Sequence, residues 1–192
     1  MGKPVVKEPT KGERVLLHAC CAPCSGAVVE YLLARGLVPT IFYSNSNIFP
    51  SDEFSIRERE CCRYAGGRGI EIVLDEYAHE EWLGIVAGLE KERERGARCT
   101  ECFRYRLERA ARYAREHGYS WLTTTLSSSR RKNADQVNAA GEYACSLFPG
   151  VHWWGKNWRK GGLQERREAI IKEENFYNQT YCGCEFSIYK SK

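Results

Sequence analysis

The sequence predicts an α/β protein in which a parallel sheet carries helices on both faces. Three observations lead there. Short apolar runs of strand character alternate with longer amphipathic segments. No stretch is of low complexity, and 43% of the 192 residues are hydrophobic, enough to bury a core. Successive strand-then-helix steps read as βα units, which assemble into parallel sheets.

Residues 14–19 (RVLLHA) read as a buried strand, 25–36 as a helix closed by Gly36, and 37–45 (LVPTIFYSN) as a second strand. Residues 52–69 are helical up to their glycines, and 70–77 (IEIVLDEY) alternate apolar and acidic side chains as a third strand. A helix fits 79–96. A stronger one fits 101–118, where Phe103, Leu107, Ala110, Ala111 and Ala114 follow helical spacing. Residues 120–126 (SWLTTTL) then form strand four, 134–147 a helix, 151–155 (VHWWG) strand five and 163–175 a last helix.

One domain is expected over residues 1–192, with 1–13 as a flexible N-terminal segment. That segment lacks the uninterrupted apolar stretch of a secretory signal. Nothing approaches the roughly 18 apolar residues of a membrane span. The expected location is therefore the cytoplasm, with no membrane partner.

In that reducing compartment ten cysteines point to metal binding or redox chemistry rather than to disulfides. Seven fall in three groups: Cys20, Cys21 and Cys24; Cys99 and Cys102; Cys182 and Cys184. All three groups are expected in loops or at element ends, and the first follows strand one. Ligands in open parallel sheets sit at that rim, where the strand order switches. A zinc site or a single iron–sulfur cluster uses four thiolates. Three sulfurs are left for a second metal, for redox exchange or for structure. Cys145 reads as a small buried hydrophobe. Cys61 and Cys62, adjacent on a helix, point about 100° apart and are poorly placed to chelate one ion.

The net charge of +4 is uneven: residues 97–192 carry 17 Lys and Arg against 10 Asp and Glu. This favours a polyanionic partner such as RNA. Candidate contacts are Arg130, Arg131 and Lys132, then the stretch 152–162, where Trp153, Trp154 and Trp158 interleave with Lys156, Arg159 and Lys160. The five arginines between 104 and 115 read mainly as a solvated helix face.

The pieces LLHACCAPCSG, NSNIFP, EFSIRERE, RCTECFRYRLERAA, TTTLSSS and NQTYCGCEFS, spread over residues 16–187, resemble the QueH family of epoxyqueuosine reductases of tRNA queuosine biosynthesis. The resemblance implies an adenine-nucleotide-alpha-hydrolase-like fold (HUP, PP-loop-like) and an oxidoreductase that works without cobalamin. It also implies a 4Fe-4S cluster with a nearby mononuclear metal ion, expected to be iron, held among Cys20, Cys21, Cys24, Cys99, Cys102, Cys182 and Cys184. The implied partners are tRNA carrying epoxyqueuosine and an external electron donor. ATP-using relatives of that fold place a Ser/Gly-rich loop after strand one to cradle phosphate. Here ACCAPCSG puts thiolates there, which would repel phosphate, so nucleotide hydrolysis is not expected.

Deoxygenating an epoxide to an alkene takes two electrons and two protons. An open-coordinate metal could bind the epoxide oxygen, and a carboxylate suits such a hard centre. Asp75, near the end of strand three, is the first candidate, with Asp52 behind it. His18 and Tyr181, each beside cysteines, are candidate proton donors. Two other classes stay open: a cluster-dependent tRNA thiolase that binds ATP, and a zinc-stabilised RNA-binding module.

Overall fold

The computed structural model describes residues 7–188, so residues 1–6 of the expected flexible segment lie outside it. Within the rest of that segment Glu13 closes a turn on Thr10 and accepts a hydrogen bond from the Trp121 indole at 2.9 Å.

Five strands form one all-parallel sheet: β1 (Val15–Ala19), β2 (Thr40–Tyr43), β3 (Ile72–Leu74), β4 (Trp121–Thr124) and β5 (His152–Trp153). Their order is β3-β2-β1-β4-β5, so the chain winds outward in both directions from β1. This order is compatible with the expected adenine-nucleotide-alpha-hydrolase-like fold. The switch point lies between β1 and β4, at the loop that carries Cys20 and Cys21.

The main helices are α1 (Ala22–Ala34), α2 (Ser51–Gly66), α3 (His79–Ile85), α4 (Ala97–Glu116), α5 (Ala134–Ser146) and α6 (Leu163–Glu173); a short α7 (Glu185–Ile188) follows them. The two-residue period of β1 separates two cores. Val15, Leu17 and Ala19 pack with Val28, Leu32, Tyr64 and Ile170 from α1, α2 and α6. Leu16 joins Phe103, Leu107 and Val137 from α4 and α5 on the other face. β1 is buried along its whole length, as expected for a central strand covered on both sides.

Several boundaries differ from expectation. The helix expected over 79–96 stops at Ile85, because EKERER (90–95) offers no apolar stripe to bury. Helix α4 begins at Ala97 rather than 101, and α1 begins at Ala22 rather than 25. Both shifts place cysteines inside helices.

The expected RNA-stacking tryptophans are mostly core. Trp154 and Trp158 are each 1% exposed and meet edge-to-face at 5.2 Å, beside Tyr31 of α1. Trp153 lies against α5 at Gly141, where a Cβ would stand 2.2 Å from its ring. Local interleaving with Lys and Arg misled here, because the indoles fill space left between sheet and helices.

Candidate metal centre and substrate cleft

The first thiol group forms where β1 runs into α1. Cys21 occupies the helix N-cap in an extended conformation, and Pro23 enters the first turn, where its fixed φ suits a helix start. The turn of helix then brings Cys24 back toward Cys20 and Cys21. All three are buried, and their sulfurs lie within 4.8 Å of one another, Cys20 and Cys21 at 3.7 Å. Hydrogen bonds from Cys21 and Cys24 hold the Cys20 thiol well below its ordinary pKa, and the same bonds push the two donors up. Each sulfur also faces a donor from a distant element: Thr125 Oγ1 at 3.4 Å from Cys20, Gln179 Nε2 at 2.9 Å from Cys21, and Arg167 Nη2 at 4.0 Å from Cys24.

The second group joins the start of α4 to the C-terminal segment. Cys99 and Cys102, three apart on a helix, share one face. Cys102 and Cys184 pack in one cluster with Trp82 and Tyr105. Burial raises the thiols of Cys99, Cys102 and Cys184, and each lies within electrostatic reach of Cys182. The turn carrying Cys182 is clamped from α2. Arg57 donates to the carbonyls of Cys182 (3.1 Å) and Tyr181 (3.4 Å), and the Phe49 amide donates to the Gly183 carbonyl at 2.9 Å. Gly183 has φ +138°, and a Cβ there would come within 3.1 Å of Asn47 and Ile48. The positive φ strains any other residue there, and the tight approach adds to the preference for glycine.

His18 is fully buried near the end of β1, close to Cys20. Its Nε2 lies 3.0 Å from the Ser44 carbonyl, which can only accept, so Nε2 carries the proton and Nδ1 accepts from the Thr124 hydroxyl at 2.7 Å. Burial lowers its pKa to about 3. The neutral ring therefore ties together the ends of β1, β2 and β4. Arg106, read from sequence as part of a solvated face, is buried and donates to the Ser44 carbonyl at 3.2 Å and to Asn45 Oδ1. Sequence reasoning missed it because helical spacing does not say which arginine meets loop carbonyls.

Asp75 is held by protein groups at both oxygens. Arg109 binds both its oxygens, and Ser44 Oγ donates to Oδ2 at 2.6 Å. Asp52 is exposed in the first turn of α2. Cys145 and Cys61 are buried in the cores on opposite faces of the sheet, and Cys62 is half-buried.

Over the thiols opens a polar cleft of about 250 Å³, lined among others by Cys24, Cys182, Tyr181, Arg130, Arg131, Lys132 and Arg167. Arg130 and Arg131 stand exposed at its rim, as expected of RNA contacts. Lys132 does not: it is buried. Burial works against its charge, but the neighbouring sulfurs of Cys182, Cys20 and Cys24 outweigh that effect and raise its pKa. Burial pushes the Tyr181 phenol up to about 12, and its hydroxyl donates to the Phe49 carbonyl.

A buried trio of sulfurs already gathered within ligating reach suits a metal, and the remaining four cysteines converge nearby from two other segments. Fold and site together define a parallel α/β protein whose sheet switch point is given over to thiols under a basic cleft. The chain belongs to the epoxyqueuosine reductase QueH family, an oxidoreductase family of tRNA queuosine biosynthesis, whose model matches residues 15–190. It is 44% identical over 190 residues to epoxyqueuosine reductase QueH of Acinetobacter baylyi, covering 98% of this chain and 87% of that protein. Identity to the protein of the same name from Haemophilus influenzae is 44% over 94% of this chain and 74% of that one. For the Thermotoga maritima protein it is 33%, over 91% and 90%.

Proposed function

We propose that this chain reduces epoxyqueuosine in tRNA to queuosine, at the thiol site beneath the basic cleft. The observation that carries the reading is the convergence of three cysteine segments, far apart in sequence, on one rim of the sheet. Cys99, Cys102, Cys182 and Cys184 supply the four thiolates that a 4Fe-4S cluster takes. Cys20, Cys21 and Cys24 supply three, which leaves an open position on a mononuclear ion, proposed to be iron. When bound, these centres would supply single electrons and a Lewis-acid site for the epoxide oxygen.

The protein's own groups do the rest. Arg130 and Arg131 neutralise RNA phosphates at the rim. Tyr181, neutral at pH 7, keeps a proton at the cleft wall beside Cys182. His18 and Asp75 act as positioning residues, His18 by tying three strand ends beneath the thiols and Asp75 by anchoring Arg109 and Ser44. Electrons come from an external one-electron donor, and the enzyme works in the cytoplasm. No helix among the described residues is long and apolar enough to cross a membrane.

The test is reduction of epoxyqueuosine-containing tRNA by anaerobically purified, chemically reduced protein, read by mass spectrometry of the digested nucleosides. Retention of the epoxide by iron-loaded protein would refute the reading. Tight ATP binding would favour a thiolase, and a colourless protein with zinc alone would favour an RNA-binding module.

A further inference from the structure

Lys132 follows the turn after β4, where its amide donates to the Ser129 carbonyl at 3.2 Å. It is 7% exposed, yet among the described residues its ammonium has neither a hydrogen bond nor an ion pair. The charged groups at the rim of the cleft already have oxygen partners in the protein. Glu168 accepts from Arg130 at 3.2 Å and from Gln164 at 2.9 Å. Arg131 donates to the Thr180 carbonyl at 2.7 Å, and Arg167 turns its Nη2 toward Cys24 while its Nε stays buried without a partner among the described residues. The Lys132 ammonium opens to the cleft and has no oxygen acceptor there among the described residues, so it is free to donate to one that a substrate brings.

We propose that Lys132 is a catalytic residue that holds the epoxide oxygen through a charged hydrogen bond and stabilises it as it becomes an alkoxide. This rests on the reductase reading above. RNA phosphates lie along a bulky backbone that meets the exposed rim, at Arg130 and Arg131. The Lys132 ammonium shares the cleft wall with Cys24 and Cys182, and meets the part of the substrate that enters beside the thiols. In the reaction two ring carbon–oxygen bonds break and one carbon–carbon π bond forms. Two electrons enter from the one-electron donor, and two protons from solvent carry the oxygen away as water. Lys132 is not consumed.

The experiment compares two anticodon stem-loop RNAs, one carrying epoxyqueuosine and one carrying queuosine, which differ by that one oxygen. Affinities are measured without reductant, so that no turnover occurs. The native protein should prefer the epoxide RNA by about tenfold or more, the scale of a charged hydrogen bond. Lys132→Met should abolish that preference, leave the affinity for the queuosine RNA and its salt dependence unchanged, and retain the bound iron; Lys132→Arg should keep part of the preference. A preference that survives in Lys132→Met overturns the proposal. So does equal weakening of both RNAs with a shallower salt slope, which would make Lys132 a phosphate contact. If Lys132→Met does not fold, Lys132→Gln is put through the same comparison; if only Lys132→Arg folds with its iron, the charge serves the thiols and the proposal fails. Should the native protein bind both RNAs alike and reduce neither, the reductase reading itself fails.

Discussion

Arg109 grips Asp75 at two points, Nε 2.6 Å from Oδ2 and Nη2 2.8 Å from Oδ1. Such a fork spends both carboxylate oxygens on one guanidinium. Burial works to raise the Asp75 pKa, but the bonds from Arg109 and Ser44 outweigh it and hold the carboxyl below its ordinary value.

Asp75→Asn should therefore cost roughly 1.5–3 kcal/mol of stability, with metal content per folded molecule preserved. The stability supplied by the ionised carboxylate is present above the ordinary carboxylate pKa and is lost as pH falls through the lowered one. Denaturant midpoints against pH should accordingly show less acid sensitivity in Asp75→Asn. Loss of one metal ion per chain, with the cluster spectrum intact, would instead make Asp75 a ligand.

The two thiol groups predict separable losses. Anaerobically prepared protein should be brown, with more than four irons per chain if both centres hold iron. Cys99→Ser or Cys102→Ser should remove the charge-transfer absorption of the cluster. Cys21→Ser should keep that absorption and lose about one metal ion per chain, by metal analysis. Identical losses in all three variants would mean that the sulfurs are divided otherwise.

At the cleft rim, Arg130→Glu with Arg131→Glu should weaken tRNA binding. The slope of log affinity against log salt should flatten by about 0.7–0.9 per lost phosphate contact. Iron content should not change. Unaltered affinity across several salt concentrations would move the RNA surface elsewhere.

Trp158→Ala should destabilise the fold by about 3–5 kcal/mol, as expected when a buried indole leaves a cavity. Its folded fraction should bind tRNA as the native protein does. Weaker RNA binding at unchanged stability would restore the stacking role that the sequence suggested.

The sequence by itself determined the parallel α/β class, the order of its elements, the position of Cys20 and Cys21 at the sheet rim and the family, because these follow from local periodicity and contiguous motifs. Tertiary structure decided who meets whom. Cys21 faces Gln179, 158 residues away, and Cys102 packs with Cys184. Asp75 is held by Arg109, Lys132 is buried among thiols, and Trp154 and Trp158 lie in the core. A charged or aromatic residue looks the same in sequence whether it meets solvent, RNA or a distant side chain. Its role is settled by which groups desolvate it, and those are chosen by packing across the sheet, which no local pattern encodes.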